Sequence, residues 1–175
     1  MISNEQLRAA FLTPAMAYYF ERKLADQPPA EVAARIEELL KFLNMTTHSH
    51  GPIPVSDEID DVWHLWVMQT RQYSELCQKL QGGKFIHHSS NEYEEYTDKD
   101  VKTRPADLQR AVAMLRSYVV NYGAFEADRV KYWPLAAKVT RHLGWTLDRL
   151  NAWLGAAAAA SEPATDRQPA LETAS

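Results

Sequence analysis

The stretch "PPAEVAARIEELLKFLNM", Pro28–Met45, decides the fold class. Val32, Ile36, Leu39, Leu40 and Leu43 recur at spacings of three and four, which gives a helix one continuous apolar face. Upstream, "TPAMAYYFERKLAD" has the start of another helix, with Thr13 as cap and Pro14 at the first helical position, where its missing N–H costs nothing. Before it, "SNEQLRAAFL" begins with Ser3 as N-cap and Glu5 in the first turn, near the positive end of the helix dipole. Downstream, Gly51, Pro52 and Pro54 in "TTHSHGPIPVSDE" break the hydrogen-bond ladder. Ser56, Asp57 and Glu58 then open a helix predicted over 57–80 and stopped by Gly82-Gly83.

"KFIHH", Lys84–His88, is long enough only for a short extended piece, and the polar, acidic run Ser89–Arg104 reads as an exposed loop. Pro105 opens a further helix with Leu108, Ala111, Val112, Leu115, Tyr118, Val119 and Tyr122 as its buried stripe, ended by Gly123. "LAAKVTRHLGWTLDRLNAWLG", Leu135–Gly155, predicts one or two closing helices with a break at Gly144. The expected fold is all-α: an irregular helical bundle of five to seven helices over residues 1–154, with a short extended/loop insertion. Residues 155–175 have one leucine and no aromatic residue, so a disordered low-complexity tail is expected there.

The whole chain is 175 residues, enough to bury a real core as one domain. Its net charge of −4 gives no general field toward nucleic acid or an anionic membrane. Cys77 is the only cysteine, which excludes an intrachain disulfide and a cysteine-based zinc cluster. Charges interrupt every apolar run near the N-terminus, so no secretory signal and no membrane span are expected, and a cytoplasmic location is the default.

On a wheel of 100° per residue, Ile59, Val62, Trp63, Trp66, Thr70, Tyr73, Cys77 and Leu80 share one face of the 57–80 helix. Cys77 therefore reads as a buried small hydrophobe. Asp60, His64 and Arg71 form a separate polar strip, and Asp60 and His64, four apart, can touch across one turn. An extended "FIHH" would send His87 and His88 to opposite sides, with Phe85 and Ile86 as its anchors. If one of the two histidines meets the strip, one carboxylate and two or three imidazoles would hold Zn²⁺, Fe²⁺ or Mn²⁺ with a position left for water or substrate.

Other groupings carry less. His48 and His50 sit in a loop, and His142 near a helix end complements the dipole. The segment 135–155 has helix-turn-helix spacing, but its second helix presents Leu147, Leu150, Trp153 and Leu154 rather than the basic face of a DNA reader. Tyr93, Tyr96, Tyr118, Tyr122, Tyr132 and Trp133 read as core aromatics before they read as a pocket wall.

Asp60, Trp63-His64, Thr70-Arg71, Tyr73, Cys77 and "GGKFIHH" resemble the signature of the glycine-rich domain-containing protein-like family, whose bacterial branch has D-x-x-W-H-x-x-I-x-x-T-R-x-Y-x-x-F-C before a glycine and F-I-H-H-x-P. "NYG", Asn121–Gly123, and "YWP", Tyr132–Pro134, are similar to its later motifs, so the resemblance spans Tyr18 to Pro134. The chain departs from the pattern at Leu76, at Ser89-Ser90 where a proline follows the histidines, and at Trp66, where some eukaryotic members carry a second histidine. The glycine-rich region behind the family's name is absent. The resemblance implies a helical fold and marks Asp60, His64, His87 and His88 as the positions to test; it supplies no reaction.

The residues support two functional expectations. In the first, Asp60, His64 and His87 or His88 hold a single metal that activates water or dioxygen, with Arg71 and Tyr73 facing a substrate. In the second, the protein is a non-catalytic interaction or accessory protein, its histidines are structural, and the acidic 90–100 loop meets a protein partner.

Overall fold

The computed structural model describes residues 1–46, 55–88 and 105–159. Among them are eight α-helices: α1 (Asn4–Phe11), α2 (Pro14–Lys23), α3 (Pro29–Thr46), α4 (Asp57–Val67), α5 (Thr70–Lys79), α6 (Pro105–Tyr122), α7 (Pro134–His142) and α8 (Leu147–Ala159). A single 3₁₀ turn, Val130–Tyr132, precedes α7. The all-α expectation holds, and no strand occurs among the described residues. His48, His50, Tyr93, Tyr96, the acidic 90–100 loop and residues 160–175 lie outside the described residues.

The helix starts follow their caps. Ser3 and Gln6 form a reciprocal pair: Ser3 Oγ accepts from the Gln6 N–H at 3.1 Å and Gln6 Oε1 accepts from the Ser3 N–H at 2.8 Å. Thr13 Oγ1 accepts from the Met16 N–H at 3.3 Å ahead of Pro14. Ser56 occupies the N-cap of α4 in extended conformation without a side-chain cap bond. At the far end, α8 continues through Gly155 to Ala159, past the expected end at 154; its run of alanines has the highest intrinsic helix propensity.

Helix α3 is the hub, packed against α1, α2, α4 and α6, while α6, α7 and α8 pack on one another and α5 joins through α4. Its predicted apolar positions Val32, Ile36, Leu39, Leu40 and Leu43 are all buried. A chain of aromatic contacts ties the helices together: Phe20 to Trp66, Phe42 to Trp63, and Phe42 to Trp133, which meets Tyr118. Because neighbours surround α3, Glu37, Glu38 and Lys41 are buried as well, which its amphipathic pattern did not announce.

The predicted 57–80 helix is two helices. Gln69, at φ −92° and ψ 66°, interrupts it, and its N–H turns to the Trp66 carbonyl at 2.9 Å. No glycine or proline marks this break, so a continuous wheel loses its register beyond Gln69. Thr70 is exposed, whereas Tyr73, Leu76, Cys77 and Leu80 remain buried on the α5 side of the break. In α6, Leu108 likewise leaves the expected stripe and is exposed, while Met114 is buried.

Candidate metal centre

Two segments build the site. Helix α4 supplies Asp60 and His64 one turn apart, and the extended piece after α5 supplies His88. Gly82 and Gly83 make the return possible. Their φ values of 92° and 60° are costly for residues with a Cβ, and they turn the chain from the end of α5 back toward α4.

The extended piece alternates as its backbone requires. Ile86 and His88 are turned toward the body of the protein, while Phe85 and His87 are more exposed, their rings 5.1 Å apart, and Phe85 still sets its ring edge-on to the buried Tyr73 at 5.4 Å. Ile86 packs against the core, and Phe85, half exposed, rests on the Tyr73 ring, so both members of the expected pair hold the piece. A relay fixes the register: Trp63 Nε1–H donates to the Tyr73 hydroxyl at 2.9 Å, and that hydroxyl donates to the Ile86 carbonyl at 2.7 Å. Burial is the main reason the Tyr73 phenol is pushed far above its ordinary pKa, so it stays neutral and keeps its proton to donate.

His88 then closes on Asp60, with Nε2 2.8 Å from Oδ1. Its ring stands edge-on to Trp63, 4.4 Å between centroids, and its side chain is only 8 % exposed. His64 approaches from the same helix as Asp60, with Nδ1 3.2 Å from Asp60 Oδ2 and 2.9 Å from the Asp60 carbonyl oxygen. The two imidazoles lie 4.3 Å apart, and the His64 side chain is 47 % exposed. One carboxylate and two imidazoles thus bring potential ligand atoms within 4.8 Å of one another. The cluster is walled by Trp63 on one side and open to solvent through His64 on the other.

Of the expected ligands, Asp60, His64 and His88 come together; His87 stays outside the cluster, paired with Phe85. Arg71 lies exposed on the first turn of α5. Tyr73 is buried behind the cluster with its hydroxyl engaged on both sides, so its contacts position the His88 segment. Sequence reasoning put Trp63 and Tyr73 on one face but did not join them to Ile86, because that contact depends on the reversal at the glycines.

A second polar cluster lies in the core. Glu38 accepts from Lys41 Nζ at 2.7 Å and from Trp133 Nε1–H at 2.9 Å, and the Tyr118 hydroxyl lies 3.3 Å from Glu38 Oε1. Arg129 reaches Glu37 at 2.8 Å, and Arg8 pairs with the other Glu37 oxygen. Among the described residues no helix is long and apolar enough to cross a membrane.

Comparison with protein-family models, with curated proteins and with solved structures gives no match to this chain. The geometry of the Asp60, His64 and His88 cluster therefore carries the functional reading.

Proposed function

We propose that Asp60, His64 and His88 hold one divalent transition metal, and that the protein uses it to activate water or dioxygen. The observation that carries this reading is the convergence of one carboxylate and two imidazoles, from segments separated in sequence, on a single partly open point. Two imidazoles and a carboxylate suit Zn²⁺, Mn²⁺ or Fe²⁺, and a three-ligand set leaves positions for an exogenous molecule. Metal binding would draw the ligand atoms toward a common ion at ~2.0–2.2 Å and displace the protons now shared between Asp60 and its imidazoles. Residues that resemble the signature of the glycine-rich domain-containing protein-like family include all three ligands and their supports Trp63 and Tyr73, which favours placing the chain with that family.

One observation favours a second reading. Both Asp60 oxygens already meet an imidazole nitrogen, and His88 is tucked against Trp63, so the network also works as a clasp between α4 and the extended piece without any ion. Metal analysis separates the two. Protein purified without chelator carries close to one equivalent under the first reading, and His64→Ala loses it. Metal-free protein that also fails to bind added Zn²⁺, Mn²⁺ or Fe²⁺ leaves only the clasp.

A further inference from the structure

Between α6, α7 and α8 lies a cavity of about 480 Å³, within the range of small-molecule sites. Leu115 and Leu150 form its buried floor, and Val112 and Val139 its sides. Leu108, Leu143 and Trp153 stand exposed around the mouth, large apolar side chains that a folded core would normally cover. Polar groups enter at one place, where Lys138 and His142 sit one turn apart on α7; neither has a carboxylate partner among the described residues.

The charge around this cavity is predominantly positive. Among the described side chains of the three helices, Asp148 is the one carboxylate, against the cations Arg110, Arg116, Lys138, Arg141 and Arg149. Two of these cations lie over the mouth's tryptophans, Arg116 at 5.3 Å from Trp153 and Arg149 at 4.6 Å from Trp145. An apolar hollow with a cationic lip fits a molecule with an apolar chain and one anionic head. We infer that this cavity binds a free long-chain carboxylate, with the chain between Leu115 and Val139 and the head at Lys138 and His142. This inference stands apart from the metal reading, since no ligand of the metal cluster lines the cavity.

Calorimetric titration of the full chain with dodecanoate and with uncharged dodecanol, each kept below micelle formation, tests it. The expected result is saturable one-to-one binding of dodecanoate, about two- to five-fold tighter than dodecanol, as one exposed ion pair allows. Lys138→Gln should remove that difference while leaving dodecanol binding unchanged. Val139→Trp should abolish binding of both by filling the hollow; Leu108→Asn, at the exposed mouth, gives a weaker block if the first variant does not fold. Absence of saturable binding, equal affinity for both ligands, or a concentration-dependent dimer broken by Leu143→Asp would each overturn the inference, the last by making a second copy the occupant.

Discussion

Two polar clusters flank the aromatic chain of this protein, and they are built on opposite principles. Around α3, Glu37, Glu38, Lys41 and Arg129 combine both signs of charge in the interior, and hydroxyl and indole donors complete the pairing. Around α4, Asp60, His64 and His88 bring acceptor-rich groups together at the surface with no fixed cation among them. The first cluster is closed, since each charge has its counter-charge within the fold. The second is held together by hydrogen bonds between Asp60 and two imidazoles, and it is there that the proposed function places a metal. Sealed charge holds the fold, and open charge is where the proposed function places binding.

The largest effect should come from breaking the sealed cluster. Glu38→Ala leaves Lys41 buried without its closest carboxylate and orphans the Trp133 N–H. Removing one partner of a buried pair costs about 3–5 kcal/mol, and chemical denaturation monitored by tryptophan fluorescence should show a loss of that size. Metal uptake by the fraction that remains folded should be unchanged. A parallel loss of metal binding at equal folded fraction would show that the two clusters are coupled, against their division into sealed and open.

Tyr73→Phe acts on the support of the second cluster. It removes the hydroxyl that joins Trp63 to Ile86 and leaves a buried indole N–H and a carbonyl without partners. The expected cost is about 1–3 kcal/mol. Because the relay sets where His88 sits, metal affinity should also fall, by roughly 10–100-fold for a lost outer contact. A Tyr73→Phe protein with unchanged metal affinity would mean that the apolar contacts of Ile86 and Phe85 fix the segment without the hydroxyl.

His64→Ala should invert this pattern. His64 is half exposed, so its loss should change stability by less than about 1 kcal/mol, while metal binding should disappear. Under the clasp reading the same substitution leaves metal content at zero in both proteins and shifts only the melting temperature. His87→Ala, directed away from the cluster, should leave metal content unchanged.

How far these regions were legible in the sequence depends on the range of the interactions involved. Caps and periodicity are local, so Ser3, Thr13, Pro14 and the apolar face of α3 marked helices that form where expected. Asp60 and His64 were legible for the same reason, being one helical turn apart. The choice between His87 and His88 was not, because alternation fixes only that they diverge, and burial of Ile86 decides which faces α4. The kink at Gln69 was hidden because it uses an ordinary residue, neither glycine nor proline. The Glu38 cluster was least legible: its partners Tyr118 and Trp133 lie 80 and 95 residues away, and α3 alone gave no sign that its charged side would be covered.

Glu31, at the solvent edge of α3, gives the finest test of that contrast. Burial raises its pKa, but hydrogen bonds from Tyr132, Lys131 and Arg35 outweigh it and hold the carboxyl at about 2, against an ordinary 4.5. A carboxyl whose pKa is lower in the folded state than in the unfolded chain stabilises the fold fully above the unfolded value. That contribution fades as pH falls from about 4.5 toward 2, where the folded form also takes up its proton. Glu31→Gln should therefore flatten the acid limb of the stability curve over this window and cost a constant, modest amount above about pH 5. The measurement is the difference between the two proteins' urea midpoints from about pH 2.5 to 6, so that acid effects common to both cancel. A difference that does not shrink on acidification would show that Glu31 holds α3 to the Tyr132 turn by hydrogen-bond geometry alone, with its charge contributing nothing.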